Sequence, residues 1–392
     1  MSQDLFTAPD YYQLDALLDA EHLLVRDAAR SWVKRSLSPI INDYAQKATF
    51  PKQLISGLAE IGAFGPYIPE AYGGAGMDQI SYGLLMQEIE RGDSGIRSTA
   101  SVQSSLVMFP IWKYGSEEQR KKYLPKLATG EYIGCFGLTE PDHGSNPSGM
   151  TTHFREEDEH YVLNGAKMWI SNAPFADLAV VWAKDPSGRI HGLIVERGME
   201  GFVTPETHNK WSLRASATGE LLFRDVKVPK ENLLPGRSGL GAPLSCLDSA
   251  RYGIAWGAIG VAMDCYDTAL RYAKERIQFD KPIAGTQLQQ KKLAEMITEI
   301  TKAQLLAWRL GVLKNEGKAS SAQISMAKRN NVKMAADITR EARQMLGGMG
   351  ITGDYSIMRH MMNLESVITY EGTHDIHLLI TGMDITGLNA FK

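Results

Sequence analysis

Cysteine is scarce in this sequence. Cys135, Cys246 and Cys265 are the full set, with no CxxC pair and no even-numbered framework. That excludes a disulfide-stapled scaffold and fits a reducing compartment. Charge of one sign does not prevail either: 42 Lys and Arg stand against 45 Asp and Glu, for a net charge of -3. No basic excess asks for nucleic acid, and no acidic tail marks a disordered, solvating segment. A membrane-length apolar run is also missing. The longest, Gly253 to Met263, stops at Asp264, short of the ~20 residues that span a bilayer. Its small residues predict a close helix–helix contact inside a soluble bundle instead. The opening MSQDLFTAPDYYQLD has no basic segment followed by an apolar one, so no signal peptide is expected. The expected location is cytoplasmic, or an organellar matrix for a chain with its leader trimmed. HExxH, internal repeats of fixed period and low-complexity tracts are all absent.

What is present is 392 residues with 44% hydrophobic content, enough for two or three domains and a large core. The first third reads helical. Val25, Ala28, Ala29, Trp32 and Val33 follow the spacing of one buried helix face, and Pro39 breaks that run. FPKQLISGLAEIGAFG and QISYGLLMQEIERG carry the same period on either side of the glycine-rich YGGAGMD. Ser116 with Glu117 and Glu118 starts another short helix. From Ile133 to about Pro235 strand signals dominate. Asn164-Gly165 predicts a hairpin turn inside YVLNGAKMWIS. LAVVWAK, RIHGLIVE and GELLFRDVKVP follow at short intervals, which predicts a compact antiparallel sheet or small barrel. The helical period then returns. Leu293, Met296, Ile297, Ile300, Ala303, Ala307 and Leu310 share one face of a long helix, and ISMAKRNNVKMAADITREARQML forms a second. The expected class is α+β, mainly helical: an N-terminal helical domain (1–132), a middle β-barrel domain (133–240) and a C-terminal four-helix bundle (241–392).

Several motifs bear on chemistry. Gly348-Met349-Gly350-Ile351-Thr352-Gly353 matches GxGxxG, but a helix precedes it, so it does not predict a Rossmann site. Its glycines suit a helix C-cap with close backbone approach. TYEGTHDIH, Thr369 to His377, leaves three readings of Glu371: metal ligand, cap region or catalytic base. Glu371, His374 and His377 have Glu-x-x-His-x-x-His spacing. A di-metal bundle needs a second such motif on another helix, whereas Glu157 to His160 lies in the polar β-region, so no metal is expected. Thr373 or Asp375 is suited to cap a helix starting near Ile376, with Gly372 easing the turn. In FGLTEPDHGSNPSGM and MWISN, Phe136 and Trp169 offer apolar faces to a flat heteroaromatic ring, and Thr139 and Ser171 offer edge contacts. Arg276 and Gln287 are donors suited to a pyrophosphate or to a solvated surface pair. Arg97 suits a substrate carboxylate or an ion pair with Asp93.

FGLTEPDHGS, KMWISN, LDSARYGIAWG, ERIQFDKPIAGTQ, QMLGGMGI and TYEGTHDIH occur in the order found in the acyl-CoA dehydrogenase family. The chain resembles that family over essentially its whole length. Through ERGDSGIRSTASVQSSLVM, LRASATGE and YEGTHDIH it is similar to the glutaryl-CoA dehydrogenases within it. The resemblance implies a helical–β-barrel–helical fold and a homotetramer with one FAD per subunit, each site completed by a neighbouring chain. It implies that Phe136, Leu138, Thr139, Gly144 and Ser145 line the flavin and substrate site, and that Trp169 and Ser171 meet the isoalloxazine. Arg276, Phe279, Gln287, Gln344, Gly347 and Gly348 would hold the pyrophosphate and adenosine, with Thr373 and Asp375 meeting FAD beside the base. Asp248 and Arg251 fall where the CoA chain is held, and Glu371 on the base, with Gly372 after it.

Arg97 and Ser98 would hold the free carboxylate of glutaryl-CoA. Glu90 and Tyr370 match residues of decarboxylating members. The implied reaction yields crotonyl-CoA and CO2, with electrons passed to electron-transferring flavoprotein, as in lysine or tryptophan degradation. Asn146 stands where the family has an aspartate, and Met383 and Asp384 where an Arg-Ala pair is common. The alternatives are an acyl-CoA oxidase, a dehydrogenase of another short acyl-CoA, and a non-catalytic acyl-CoA-binding protein.

Overall fold

The computed structural model describes residues 9–391. The first eight residues of the stretch read for a signal peptide therefore lie outside the described residues. The chain begins with helices α1 (Ala20–Trp32), α2 (Ile41–Lys47), α3 (Leu54–Glu60), α4 (Gln79–Gly92), α5 (Ser94–Ser101), α6 (Phe109–Tyr114) and α7 (Glu117–Ala128). Their starts follow local chemistry. Ser116 caps α7 in a reciprocal box with Gln119, and Asp93 caps α5 through Gly95 N–H at 2.7 Å. On α1, Ala29 and Trp32 are buried while Ala28 of the predicted face is exposed.

Strands β1 (Gly134–Gly137), β2 (His153–Glu157), β3 (His160–Ser171), β4 (Leu178–Lys184), β5 (Ile190–Glu196), β6 (Phe202–Val203) and β7 (Thr218–Pro229) form one curled seven-stranded sheet. It has its own core of Phe154, Leu163, Ile170, Leu221 and Val226, among others. Two expectations fail here. The sheet is mixed, because β1 enters from the helical layer and pairs parallel to β4, Gly134 opposite Leu178. Asn164-Gly165 is not a hairpin turn. It lies inside β3, where two β7 residues oppose Asn164 in a bulge. Gly165 takes φ 135°, and Asn164 Nδ2 donates to Asp225 Oδ1 at 3.0 Å, so the pair stabilises a kink rather than a reversal. The reversal falls instead at Asp158 and Glu159, between β2 and β3.

The last third holds α8 (Gly241–Glu275), a hairpin of β8 (Ile277–Gln278) and β9 (Lys281–Pro282), α9 (Gln287–Asn315), α10 (Ser321–Met345), α11 (Ile357–Thr369) and α12 (His374–Thr386). The apolar run of α8 is buried against α4. A Cβ on Gly260 would lie 1.9 Å from the Gln87 carbonyl, and one on Gly253 2.5 Å from the Tyr82 hydroxyl. Small residues at i, i+4 and i+7 thus set the α4–α8 approach. No helix among the described residues is long and apolar enough to cross a membrane. Arg359 on α11 donates to Gly92 O at 2.8 Å and to Asp93 at 2.7 Å, and Asn363 donates to Asp93 at 2.9 Å. The helix that leads into Glu371 is thereby tied to the α4–α5 junction.

Candidate active site

Between α11 and α12 the chain passes through two successive left-handed residues, Glu371 at φ 53° and Gly372 at φ 95°. Glycine accepts this readily; a glutamate does not, and strain of this kind collects at functional sites. Gly372 has a further constraint. A Cβ there would approach the His377 ring at 3.1 Å and Arg251 at 3.3 Å. Thr373 caps α12 by accepting from Ile376 N–H at 3.3 Å, while Asp375 sits exposed in the first turn. Glu371 precedes α12, so it does not share a helix face with His374 and His377.

Three helices converge on this turn. Arg251 of α8 donates from Nε to the Glu371 carbonyl at 2.8 Å and from Nη1 to Asp248 at 3.0 Å. Lys328 of α10 donates from Nζ to the carbonyls of Val367 (2.9 Å), Tyr370 (3.0 Å) and Gly372 (2.9 Å). From α5, fully buried Arg97 donates to Glu90 through Nε (2.7 Å) and Nη2 (3.3 Å), and Nη2 also meets the Tyr370 hydroxyl. The alternative Arg97–Asp93 ion pair is therefore absent: Glu90, one α4 turn earlier, takes the arginine, and Asp93 is already engaged by Arg359 and Asn363.

The buried polar atoms of this cluster without a hydrogen-bond partner among the described residues include Glu371 Oε2 and Arg97 Nη1, along with His374 Nε2 and both ring nitrogens of His377. Burial pushes the Glu371 carboxyl above its ordinary range. The cations Arg97, Lys328 and Arg251 oppose that rise, and Glu90 adds to it. Burial likewise pulls the Lys328 ammonium down to about 7, against the attraction of Glu371. His377 is buried and pushed down to about 2 by burial and by Lys328 and Arg251 nearby. Ser98 is buried one position after Arg97.

A second group lies on the sheet. Phe136 and Leu138 are buried on and just after β1, and Met168 N–H donates to Thr139 O at 2.9 Å, joining β3 to that segment. Next to Met168, Trp169 is 57% exposed at φ 62°, inside a β3 bulge where two residues oppose one of β7; Ser171 is half-buried. A large ring held outward by an unfavourable backbone conformation fits a flat partner from outside the chain. Gly144 and Ser145 lie in an exposed loop, and a Cβ on Gly144 would meet open space.

The third group stands apart. Arg276, Phe279 (93% exposed) and Gln287 occupy the β8–β9 hairpin and the start of α9. Gly347 and Gly348 face open space after α10, and Gln344 accepts from Lys292. No hydrogen bond joins this group to the Glu371 cluster among the described residues.

Sequence reasoning missed two supports. Lys328 falls on the buried stripe of α10 with Ile324, Asn331, Ala335 and Ile338, so a lysine at an apolar-period position was the available signal. Lys167 is fully buried and donates to Leu138 O (3.1 Å) and Glu140 (2.9 Å). Glu140 also accepts from the backbone of Thr151 (2.6 Å) and Thr152 (2.9 Å). Burial raises Glu140, yet these donors together hold it down near about 2. The pair fixes the segment that carries Leu138 and Thr139.

The chain matches family models over three consecutive stretches: acyl-CoA dehydrogenase N-terminal domain (19–131), middle domain (135–226) and C-terminal domain (237–386). It is 37% identical to the short-chain specific acyl-CoA dehydrogenase of Megasphaera elsdenii, over 90% of this chain and 95% of that one. It is 34% identical to the glutaryl-CoA dehydrogenase of Desulfococcus multivorans, over 96% and 99%. A crystal structure of a glutaryl-CoA dehydrogenase from Mycobacterium smegmatis in complex with FADH2 superposes with a TM-score of 0.95 at 48% identity, covering 97% of this chain and 98% of that one. With its strained glutamate turn ringed by cations, the chain belongs to the acyl-CoA dehydrogenase family.

Proposed function

We propose that this protein is an FAD-dependent dehydrogenase that desaturates and decarboxylates glutaryl-CoA to crotonyl-CoA and CO2. The observation that carries the reading is that one cluster holds both a buried carboxylate oxygen and a buried guanidinium nitrogen without partners. Glu371 Oε2 is free to take a proton, and Arg97 Nη1 is free to hold a carboxylate. Arg97 already balances Glu90, so its charge is fixed in place before substrate arrives. A thioester of a plain alkyl acid would leave Nη1 buried without a partner, at a cost of about 1–3 kcal/mol. The 48% identity to the mycobacterial glutaryl-CoA dehydrogenase supports the same choice, while the Desulfococcus glutaryl-CoA dehydrogenase at 34% and the short-chain enzyme at 37% do not separate the two readings.

A thioester α-proton is weakly acidic, so its removal needs a positioned base and a donor at the developing enolate oxygen. Glu371 is the proposed base, and its own backbone N–H the donor to the thioester oxygen. Bound FAD would supply the acceptor for the hydride leaving the β-carbon, with electron-transferring flavoprotein as the proposed onward acceptor of its electrons. Trp169, Ser171, Phe136, Leu138, Thr139, Gly144 and Ser145 would hold the flavin end. Arg276, Phe279, Gln287, Gln344, Gly347 and Gly348 would hold the pyrophosphate and adenosine across a subunit boundary, with Thr373 and Asp375 beside the base. Asp248 and Arg251 would steady the CoA chain.

Once the α,β double bond exists, the distal carboxylate is vinylogous to the thioester. The C–CO2 bond breaks, the electron pair delocalises onto the thioester oxygen, and protonated Glu371 returns its proton to the γ-carbon. Arg97, Ser98 and Tyr370 would hold the carboxylate until it leaves, with Glu90 beside it orienting Arg97.

Arg97→Lys tests the assignment, because it keeps a charge opposite Glu90 and removes Nη1. kcat/KM for glutaryl-CoA should fall about 10- to 100-fold while that for butyryl-CoA changes little. An equal loss on both substrates would favour the second reading, a short-chain dehydrogenase like the Megasphaera relative, with Arg97 purely structural.

A further inference from the structure

Lys328 is the one buried cation near Glu371 whose hydrogen bonds all go to backbone. Its three acceptors are the carbonyls of Val367, Tyr370 and Gly372, at 2.9–3.0 Å. Two of these flank Glu371, and the third belongs to the last turn of α11, where carbonyls lack partners and the helix dipole favours a positive charge. Arg251 holds the remaining carbonyl, that of Glu371 itself, at 2.8 Å. Every peptide carbonyl from Tyr370 to Gly372 is thus fixed by a cation from the C-terminal bundle. The turn needs this support, since a glutamate at φ 53° followed by a glycine at φ 95° is not a conformation the chain adopts unaided.

We propose that Lys328 is a positioning residue for the base: its ammonium clamps the carbonyls on both sides of Glu371 and so aims the carboxylate at the substrate α-carbon. This rests on reading Glu371 as the base. Lys328 touches neither substrate nor cofactor in this account. Its length and three-fold donor geometry matter because a buried ammonium with three carbonyl acceptors is fully satisfied, whereas a neutral or shorter side chain leaves orphaned carbonyls that the turn can relieve only by rearranging. A misplacement of about 1 Å at a catalytic group costs roughly 100-fold in rate.

The charges facing the carboxylate come from every element around it: Glu90 and Tyr82 on α4, Arg97 on α5, Arg251 on α8, Lys328 on α10, Tyr370 before the turn, and His374 and His377 on α12. The test therefore reads proton removal directly rather than through a pH profile. Lys328→Met, Lys328→Gln and Glu371→Gln are purified with FAD bound. Exchange of the glutaryl-CoA α-protons against D2O is followed anaerobically by mass spectrometry, alongside kcat and KM.

The expected result is a KM within about 3-fold of wild type, with α-proton exchange and kcat both lowered about 100-fold in Lys328→Met. Lys328→Gln, which keeps two N–H donors, should lose less. Wild-type exchange in Lys328→Met would overturn the assignment. So would loss of flavin and of the folding transition in both lysine variants, because the lysine would then hold the fold rather than the base. Should Glu371→Gln keep exchanging, the reading of Glu371 fails. Should Glu371→Gln stop exchanging while Lys328→Met matches wild type, only the clamp fails.

Discussion

At Glu371 two demands pull against each other. A base strong enough for a thioester α-proton wants desolvation, and desolvation makes the ionised form costly. The surrounding cations keep that cost bearable, while burial still leaves the carboxyl above its ordinary value of 4.5. The sign is then fixed. The ionised carboxylate is the active form, so kcat/KM should rise with pH through the raised folded value and fall away below it, with its acidic limb above 4.5. In stability the same shift runs the other way. The folded state holds this proton more tightly than the unfolded one, so stability is full below the unfolded pKa and is lost as pH rises through the folded pKa. Glu371→Gln should therefore raise Tm at pH 8 and leave it nearly unchanged at pH 4.5, while flavin reduction drops about 10,000-fold. A Tm lowered at both pH values would contradict the account of a strained, desolvated acid. The acid and its glycine were legible in the sequence because TYEGTHDIH is a local pattern. Glu90 as the partner of Arg97 was not, because whether position 90 or 93 faces Arg97 depends on how α4 ends and what Arg359 takes from across the fold.

Among the elements, the α4–α8 crossing is where sequence, packing and site meet most closely. Gly257 has no side chain because Glu90 occupies that space: a Cβ would fall 1.8 Å from Glu90 Oε2. Gly257→Ala should push Glu90 off Arg97. The expected outcome is a loss of about 1–3 kcal/mol in stability by denaturant melt, despite alanine's better helix propensity. kcat/KM should fall more for glutaryl-CoA than for butyryl-CoA. Equal losses on the two substrates would separate the crossing from the carboxylate site. The long bundle helices were legible because Leu293, Met296, Ile300, Ala303, Ala307 and Leu310 repeat on one face and are buried there. Asn164-Gly165 misled because a two-residue turn signal and a bulge make the same demand on the backbone; only pairing with β7, some sixty residues later, tells them apart. The parallel pairing of β1 with β4 was hidden for a related reason, since strand direction is set by where the chain enters the sheet.

Across the whole molecule, the unburied hydrophobic side chains on the β8–β9 hairpin point to assembly. Phe279 is 93% exposed and Ile277 52% exposed, beside Arg276. In the homotetramer that the family resemblance implies, this hairpin would complete a neighbour's FAD site. Phe279→Ala should then lower both the fraction of protein retaining yellow flavin and the fraction of tetramer by light scattering, with little change in the melting of the monomer fold. Full flavin content in a monomeric variant would contradict that role. The proposed chemistry itself is tested most directly by mixing the yellow protein anaerobically with glutaryl-CoA and an artificial electron acceptor, then identifying the acyl product and trapping CO2. The account predicts flavin bleaching with crotonyl-CoA and CO2 in equal amounts. Glutaconyl-CoA without CO2, or bleaching by butyryl-CoA but not by glutaryl-CoA, would contradict it.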